Sequence, residues 1–302
     1  MTGNQAAPSV LVLGSTGRLG LILRKHWRNR PDVIWQARRC YEDSFPFRTE
    51  EDLLNDAGRG KLRISAVLSL WGVVPDSGQD LQDNTNLALR AMQVASKLGA
   101  NRVLHCSSAA VYQPAPAPLR EDTLPRPQSA YGHSKLAMEQ ALRTWRGTSG
   151  EKPSICVMRI GNVMGADSLS ASMRAAGETG QKITLDRFAN GRAACRSFLS
   201  GADLARCLTA LTECPIKELP ELINLAAPQA TAMDAVLRHA GLEFAWKDAP
   251  SQAAPRVELE TARLRTLLDL GPASATPAHL LADWPWTEVV ARDRAHLKGP
   301  QL

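Results

Sequence analysis

The stretch Val10-Leu11-Val12-Leu13-Gly14-Ser15-Thr16-Gly17-Arg18-Leu19-Gly20 decides the fold of this chain. Its four leading apolar residues end abruptly at Gly14, as a buried strand of a parallel sheet does. Apolar residues then recur at helical spacing from Leu19 to Trp27. A strand, a glycine turn and a helix in this order are typical of the opening of a βαβ unit.

The loop between this strand and this helix has the glycine spacing GxxGxxG. Glycine permits a tight turn and a close approach of backbone amides to a pyrophosphate, while the helix N-terminus adds partial positive charge. The alternative is an ordinary glycine-rich turn, but a strand and a helix flank the loop as a nucleotide site requires. We therefore predict that the whole loop binds a cofactor, with Gly14, Ser15, Thr16, Gly17, Arg18, Leu19 and Gly20 as its residues.

Strand-like and helix-like segments then alternate along the chain. The predicted segments are strands at 33–35, 66–70, 103–106, 155–159 and, more briefly, near 222–225, with helices at 87–97 and 135–145. This alternation predicts an α/β fold of the Rossmann type, with a doubly wound parallel sheet.

The pattern loosens from about Asp167, where a helix near 170–176, a glycine turn and the proline-rich tract 248–255 follow one another. We therefore predict two parts. They are a dinucleotide-binding domain over 1–166, completed by segments from about 190–227, and a smaller C-terminal substrate-binding lobe mainly over 167–302.

Composition excludes several classes of protein. The chain has 302 residues, of which 44% are hydrophobic and 22% charged, as in ordinary globular proteins. Its net charge of +6 is scattered, so a small phosphate-bearing ligand is favoured over a nucleic acid. The six cysteines and six histidines lack the spacing of a disulfide framework or a metal site, and the longest apolar run, 64–74, is too short for a membrane span. We expect a cytoplasmic protein without a metal ion.

The end of the second predicted strand bears on the choice of cofactor. Proteins that bind NAD usually place an acid there to hold ribose hydroxyls, whereas this chain has Gln36-Ala37-Arg38-Arg39. Guanidinium groups at Arg38 and Arg39 suit a 2′-phosphate, so NADP is favoured over NAD. The alternative is that both arginines merely face solvent.

Tyr131 and Lys135 are spaced i and i+4, so their side chains share one face of a helix. An adjacent ammonium favours the phenolate and lowers the pKa of a tyrosine toward a useful acid/base range. The alternative is a packed tyrosine beside a solvated lysine. Ser107 and Ser108 follow the fourth predicted strand, where a hydroxyl can orient a substrate oxygen beside the tyrosine, although such a pair is often only a turn.

Together these segments resemble the extended short-chain dehydrogenase/reductase family, which contains UDP-galactose 4-epimerase and related nucleotide-sugar epimerases and dehydratases. The resemblance rests on six segments in family order, namely the glycine loop, Asn84 with the helix that follows, Ser107 to Tyr112, Pro127 to Lys135, Arg159 to Gly165 and Arg196 to Ala205.

The resemblance implies a catalytic set of Ser108, Tyr131 and Lys135. Tyr131 would move the hydroxyl proton, Lys135 would hold the nicotinamide ribose, Ser108 would orient the reacting oxygen, and hydride would pass to or from the nicotinamide. Further candidates for cofactor binding are Leu70, Trp71 and Asn84. The candidates for substrate binding are Ser108, Asn162 and Arg196. The resemblance also implies a homodimer formed through the helices 87–97 and 135–145.

Departures from the family pattern narrow the reaction. Nucleotide-sugar 4,6-dehydratases carry Thr-Asp-Glu where this chain has Ser108-Ala109-Ala110, and alanine cannot take part in the elimination of water. A dehydratase is therefore disfavoured, and a reductase and an epimerase stay open. The substrate would be a secondary hydroxyl or ketone of a nucleotide sugar or a related polyol.

A different class of function is also consistent with the fold. Some relatives are non-catalytic proteins that sense NADP and regulate others, but these typically lose the tyrosine or the lysine. This chain keeps both Tyr131 and Lys135, which favours an enzyme.

Overall fold

The computed structural model of the protein describes residues 7–37, 47–75, 77–149 and 153–283. Within them, the strands are β1 (Pro8–Leu13), β2 (Val33–Gln36), β3 (Phe47–Arg48), β4 (Arg63–Ser69), β5 (Arg102–Ser108), β6 (Ser154–Ile160), β7 (Asn162–Val163), β8 (Ile183–Arg187), β9 (Cys195–Leu199), β10 (Leu222–Leu225), β11 (Ala230–Ala232), β12 (Phe244–Asp248) and β13 (Arg256–Val257). The α-helices are α1 (Arg18–Trp27), α2 (Glu50–Gly58), α3 (Asp83–Lys97), α4 (Ala130–Ser149), α5 (Ser168–Thr179), α6 (Gly201–Glu213), α7 (Met233–His239), α8 (Ala262–Arg265) and α9 (Pro277–Leu280). No helix in these ranges has the length and apolar character that a membrane crossing needs.

The main sheet has the strand order β10-β6-β5-β4-β1-β2-β3, and each pairing in it is parallel. Alternate residues of β1 enter two different cores. Val10 and Val12 pack with α1 and α6, whereas Leu11 and Leu13 pack with α2, α3 and α4. Because successive side chains of a strand point to opposite faces, helices cover both faces of the sheet. The predicted doubly wound Rossmann-type sheet is confirmed.

The order of the strands reverses beside β1. The chain runs from β1 through β2 and β3 to one edge, then returns to β4 on the other side of β1 and continues through β5 and β6. The connections leave the carboxyl ends of β1 and β4 in opposite directions and open a crevice, which is where open parallel sheets bind their ligands. Gly14 and Leu70 follow these two strand ends.

Two smaller sheets lie outside the main one. β9 pairs with β7, β11 and β13, and β8 pairs with β12. Their apolar side chains form a separate core with α5, α7 and α9, which includes Leu185, Phe198 and Leu237. Of the segments expected to complete the main sheet, β10 does so, but β9 pairs in the second sheet instead. The division of the chain into domains at residue 166 stays a prediction.

The sequence analysis did not identify β3 and α2. A strand of two residues gives no periodicity, but α2 begins with a capping box that the sequence does carry. The side chain of Thr49 accepts a hydrogen bond from the amide of Asp52 at 3.1 Å, and the Asp52 carboxylate accepts one from the amide of Thr49, also at 3.1 Å. This pairing satisfies two amides that a helix start leaves open.

The connection between β5 and α4 is tied to a segment far along the chain. The amide of Leu119 donates to the carbonyl of Glu258 at 2.7 Å, and the amide of Glu260 donates to the carbonyl of Leu119 at 2.9 Å, beside a bridge from Leu119 to Leu259. The side-chain amide of Asn224 donates to the carbonyls of Leu119 and Glu260, at 2.9 and 3.0 Å. Residues more than a hundred positions later therefore shape the approach to α4.

The first turn of α1 packs tightly against the glycine loop. A Cβ atom at Gly20 would overlap the carbonyl oxygen of Gly14 and would lie 2.6 Å from the carbonyl carbon and oxygen of Ser15. Real side chains do not approach backbone this closely, so a glycine is required at position 20.

Asp167 caps the N-terminus of α5. Its Oδ1 accepts a hydrogen bond from the amide of Ser170 at 2.8 Å. Its Oδ2 is buried and has no hydrogen-bond partner in the part of the chain that the structure describes. Burial raises the pKa of this carboxyl to about 6, although the hydrogen bonds from Ser170 oppose the change. The ionised carboxylate therefore opposes folding at neutral pH.

We expect Gly20→Ala to lower the free energy of unfolding by about 2 kcal/mol, because the backbone must shift to admit the methyl group. The control is Gly177→Ala, in the interior of α5, where a Cβ atom has nothing within 4 Å. That change should raise the free energy of unfolding by about 0.5–1 kcal/mol, since alanine loses less backbone entropy. Urea denaturation measures both variants, and effects of the same sign would contradict the interpretation.

We expect Asp167→Asn to be more stable than the wild type by about 3 kcal/mol above about pH 7, with the difference vanishing below about pH 4. Asparagine keeps the cap on Ser170 and removes the buried charge. A carboxyl whose pKa is higher in the folded than in the unfolded chain loses stability as the pH rises between the two values.

Asp52→Asn provides the control of opposite sign. Hydrogen bonds with Thr49 lower the pKa of Asp52, so its variant should lose stability at neutral pH. Urea denaturation from pH 4 to pH 8 compares the two variants, and a loss of stability in Asp167→Asn at every pH would exclude the buried charge as the cause.

Candidate active site

The predicted site residues meet at the carboxyl edge of the main sheet. The glycine loop follows β1, Leu70 and Trp71 follow β4, and Ser108 ends β5. Tyr131 and Lys135 reach the same edge from the first turns of α4, which packs against β5. The structure thus places these four groups at the same edge of the sheet as the crevice beside β1.

Gly14 makes the turn that opens the glycine loop. Its φ of +81° lies in the left-handed region that favours glycine. A Cβ atom there would lie 2.9 Å from the carbonyl carbon of Leu70 and from the amide nitrogen of Trp71. Leu70 and Trp71 therefore line the crevice opposite the glycine loop, as candidates for cofactor binding should.

No side chain in the described part of the chain caps the N-terminus of α1. Its N-cap is Gly17, which makes no side-chain hydrogen bond, and its first turn contains no acidic residue. The side chains of Asp167 and Ser200, by contrast, cap α5 and α6. Open amides and a positive helix end are the features that a pyrophosphate requires. The loop therefore fits the phosphates of a dinucleotide.

The polar side chains of the loop differ in their surroundings. Ser15 is fully buried, and its hydroxyl donates to the carbonyl of Gln36 at 2.5 Å, so this side chain joins the loop to the end of β2. Arg18 is exposed, and its guanidinium donates to the carbonyl of Ala166 at 3.4 Å, across the crevice. Arg18 can therefore meet an anion in the crevice, whereas Ser15 can contribute only through its backbone.

Within the described residues, the end of β2 carries no acid. Ala37 is buried, and its amide donates to the carbonyl of Arg48 at 3.0 Å. The Arg48 guanidinium itself pairs with Asp56 at 2.6 Å. Arg38 and Arg39, on which the preference for NADP depends, lie outside the described residues.

Asn84 holds the loop that follows β4. Its side-chain oxygen accepts from the amide of Val73 at 3.0 Å, and its side-chain nitrogen donates to the carbonyls of Val73 and Leu81 and to the hydroxyl of Ser134. A Cβ atom at Gly72, inside this loop, would lie 3.1 Å from Nζ of Lys135 and 3.2 Å from Oδ1 of Asn84. Asn84 thus acts by placing the loop beside Lys135.

Lys135 is a buried cation at the centre of the site. Its side chain is 2% exposed, and its Nζ donates to the carbonyl of Cys106 at 3.1 Å. Burial lowers the pKa of this lysine, and the nearby Cys106 and Glu139 oppose that change. One of the three donors of the ammonium is thus occupied by protein, which leaves others for hydroxyl groups of a ligand.

Tyr131 lies one turn before Lys135, whose Nζ is 5.8 Å from the centre of the tyrosine ring. The sequence analysis expected Lys135 to lower the pKa of this tyrosine. The structure gives the opposite direction, because burial raises the pKa of Tyr131 more than its hydrogen bond with Ser108 lowers it. The lysine contact is too distant to outweigh the loss of water around the phenol.

Ser108 is placed by the turn that follows β5. Its hydroxyl oxygen accepts from the amide of Ala110 at 3.2 Å, which starts a 3₁₀ turn at 109–111. Gly132 on α4 lets this turn approach, since a Cβ atom there would overlap the carbonyl oxygen of Ala110. The glycine beside Tyr131 therefore brings the tyrosine within reach of Ser108.

Asn162 and Arg196 lie on neighbouring strands. Asn162 in β7 is opposite Phe198 of β9, two residues from Arg196, and both side chains are half-buried. The Arg196 guanidinium donates to the carbonyl of Cys195 at 2.8 Å and forms no salt bridge within the described ranges. Burial lowers the pKa of Arg196, with Cys195 and Asp186 opposing the change. Such a cation is suited to an anionic ligand.

Sequence reasoning missed a buried group of polar residues behind the site. The carboxylate of Glu139 accepts hydrogen bonds from the Ser107 hydroxyl and from the Arg159 guanidinium. Ser107 immediately precedes Ser108, and Glu139 follows Lys135 on α4. Glu139 follows Lys135 by four residues, on the face of α4 that carries the catalytic candidates. An acid at this apolar-facing position was the signal available in the sequence.

The sequence model of the NAD dependent epimerase/dehydratase family matches residues 10–226 of the chain. A UDP-glucose 4-epimerase of Azospirillum brasilense is 37% identical over 126 residues, which cover 39% of this chain. That match spans only 34% of the length of the curated relative.

Solved structures share the fold over nearly the whole chain. MoeE5 in complex with UDP-glucuronic acid and NAD has a TM-score of 0.70 at 22% identity and covers 91% of this chain and 98% of its own. The UDP-glucuronic acid 4-epimerase of Bacillus cereus in complex with UDP-glucuronic acid and NAD has a TM-score of 0.73 at 17% identity, with 94% and 99% covered. Because the family match extends over well more than half of the sequence, and the fold agrees, the chain belongs to the NAD dependent epimerase/dehydratase family, as its resemblance to the extended short-chain dehydrogenase/reductases implies.

Proposed function

We propose that this protein is an NAD(P)-dependent enzyme that oxidises, reduces or epimerises a secondary hydroxyl or ketone, of a nucleotide sugar or a related polyol. The observation that carries the proposal is the meeting of Ser108, Tyr131 and buried Lys135 at the carboxyl end of β5, beside an uncapped helix N-terminus. A tyrosine that interacts with a serine hydroxyl and stands beside a desolvated lysine can transfer a proton to or from an alcohol.

A nicotinamide dinucleotide fits the residues that line the crevice. Gly14 and Gly20 leave no side chain at the two points where the loop packs against backbone, and the open amides at the start of α1 would face a pyrophosphate. When bound, this cofactor supplies or accepts a hydride. Lys135 would hold the nicotinamide ribose through its remaining donors, and Arg18 is the loop cation that would contact a phosphate.

Each of the three catalytic candidates would have a different role at the reacting carbon. Tyr131 would give or take the hydroxyl proton, and Ser108 would hold the substrate oxygen beside it. Lys135 would keep a positive charge next to the phenol. Because burial keeps the free phenol protonated, the tyrosine is poised to donate its proton when a ketone is reduced.

The substrate class follows from Arg196 and from the relatives. A half-buried guanidinium without a carboxylate partner among the described residues suits a phosphate or diphosphate. The UDP-glucose 4-epimerase relative and the UDP-sugar complexes of similar fold agree with a nucleotide sugar. We propose that Asn162 and Arg196 hold it, with residues 167–302 supplying most of the substrate lobe.

The choice of reaction rests on the residues after Ser108. Ala109 and Ala110 provide no acid for the elimination of water, which argues against a dehydratase. Epimerases return the hydride to the same substrate, whereas reductases exchange their cofactor, and NADP would favour the latter.

The expected homodimer through α3 and α4 stays a prediction. The large apolar side chains that are exposed among the described residues, Leu124 and Ile216, lie on neither helix.

We expect Tyr131→Phe to lower turnover by about 10²–10⁴-fold, because the hydroxyl that transfers the proton is removed, while the affinity for the cofactor stays nearly unchanged. Nucleotide sugars are screened with NADPH and NADH, and both cofactor absorbance and sugar products are followed. Net consumption of cofactor identifies a reductase or dehydrogenase, and turnover without consumption identifies an epimerase.

The control is Thr212→Val, which removes a buried hydroxyl that donates to the carbonyl of Leu208 at 2.9 Å near the end of α6. It should cost about 1 kcal/mol of stability and leave turnover near the wild-type value. Wild-type turnover in Tyr131→Phe would reject the mechanism.

We expect the protein to bind NADPH more tightly than NADH, and the double variant Arg38→Ala/Arg39→Ala to weaken NADPH binding by on the order of tenfold, as loss of a charge-assisted hydrogen bond does. The affinity for NADH should not change. Arg28→Ala, at the other end of α1 from the loop, is the control and should affect neither cofactor. Tighter binding of NADH, together with an unaffected double variant, would establish NAD as the cofactor.

A further inference from the structure

A buried polar cluster of Ser107, Glu139 and Arg159 lies behind the catalytic candidates. The guanidinium of Arg159 donates twice to the Glu139 carboxylate, at 3.0 and 2.7 Å, and the Ser107 hydroxyl donates to the same carboxylate at 2.5 Å. The side chains of Arg159 and Glu139 are 2% and 5% exposed. Three hydrogen bonds to one carboxylate leave its orientation fixed.

The cluster joins three elements that carry the site. Ser107 belongs to β5 and immediately precedes Ser108, Glu139 belongs to α4, and Arg159 belongs to β6. On α4, Tyr131, Lys135 and Glu139 are spaced by four residues and so follow one another along one face. A bond between Glu139 and β5 therefore sets the position of the tyrosine and lysine relative to Ser108.

Stability alone does not account for this cluster. Two charges taken out of water lose much of their hydration, and apolar residues of similar size hold buried elements together as well or better. A charged pair in this place therefore points to one of two roles. It fixes the position of α4 against β5, or it supplies a charge to the neighbouring Lys135.

The side chains around Lys135 differ in their charge. From β5 it faces Cys106 and His105, and from α4 it faces Tyr131 and Glu139. Burial raises the pKa of the Cys106 thiol and lowers that of His105 to about 3, so both are neutral near pH 7, as is the phenol of Tyr131. Glu139 is the anionic side chain among these described neighbours, and it opposes the loss of the proton from buried Lys135.

The far side of the cluster is equally constrained. The Arg159 guanidinium lies 4.6 Å from the centre of the Tyr112 ring and donates to the carbonyl of Glu121 at 3.4 Å. The Glu121 carboxylate in turn accepts from the backbone amide of Asn224 on β10 at 2.9 Å. The ion pair is thus held from both sides, and Glu139 cannot turn away from Ser107 without breaking several contacts.

We propose that Glu139 is a positioning residue for this enzyme: through Ser107 and Arg159 it fixes α4 against the end of β5, so that Tyr131 and Lys135 face Ser108, and it places a negative charge one helical turn from Lys135. The inference rests on the proposed function, to which it adds a residue behind the same site.

The test compares two variants that separate geometry from charge. Glu139→Gln/Arg159→Met removes both charges of the pair together, so neither is left buried alone. Ser107→Ala removes the bond to β5 and retains the charge of Glu139. Thr212→Val is the control, since it removes a buried hydroxyl that donates to the carbonyl of Leu208 at 2.9 Å in α6.

The first measurement is the dissociation constant of NADPH between pH 6 and 10, followed by quenching of tryptophan fluorescence, which requires no substrate. Binding should weaken as the pH rises and Lys135 loses its proton. In Glu139→Gln/Arg159→Met the midpoint of this change should move down by up to about one pH unit. The variant also removes the positive charge of Arg159, but Glu139 acts on Lys135 more strongly, because it lies one helical turn away on the same face of α4. Ser107→Ala and Thr212→Val should keep the wild-type midpoint.

The second measurement is turnover of the nucleotide sugar at pH 7. Ser107→Ala should lower kcat by about tenfold and leave KM nearly unchanged, because the catalytic groups are displaced while the binding groups are not. Thr212→Val should leave both constants unchanged.

Each result decides the proposal. An unchanged midpoint in a folded double variant, or a wild-type profile that is flat with pH, overturns the role of the charge, and an unchanged kcat in Ser107→Ala overturns the role in geometry. If the double variant does not fold, Ser107→Ala alone decides. Failure of the wild type to bind either NADPH or NADH rejects the proposed function and this inference together, whereas normal binding with unaffected variants rejects only Glu139.

Discussion

The rest of the structure depends on the close passage of backbone at the start of α1. The chain leaves β1, turns through Gly14 at positive φ, and returns beneath Gly20 with no room for a side chain at either position. The same turn lies against the backbone of Leu70 and Trp71, so it also sets the distance between the connections of β1 and β4. Because this distance is the width of the crevice, the packing of backbone on backbone determines what kind of ligand enters it.

Much of this framework could be predicted from the sequence. The strands of the main sheet are continuous apolar runs because both of their faces are buried, and the glycine spacing is local, so each signal lies within a few neighbouring residues. β3 is too short to give a period. The partners of β9 could not be deduced, because β7, β11 and β13 come from separate parts of the chain.

The candidate site was predictable in its composition and not in its electrostatics. The positions of Tyr131 and Lys135 follow from a spacing of four residues, whereas their pKa values depend on burial, which arises only when α4 packs on β5. For this reason the expected direction for Tyr131 was wrong. The contacts of Glu139 are long-range for the same reason, since Ser107 is 32 residues before it and Arg159 is 20 residues after it.

The link between Leu119 and Leu259 bears on how the protein is made. The loop that leads into Tyr131 is completed by hydrogen bonds to residues 258–260, so a ribosome must synthesise almost the entire described chain before this loop can take its final shape. The strands β1 to β4 of the main sheet, by contrast, come from segments that are near one another in sequence and can form earlier. A nascent chain can therefore form the crevice beside β1 well before the loop that leads into Tyr131 reaches its final shape, so the two parts of the candidate site are completed at different stages of synthesis.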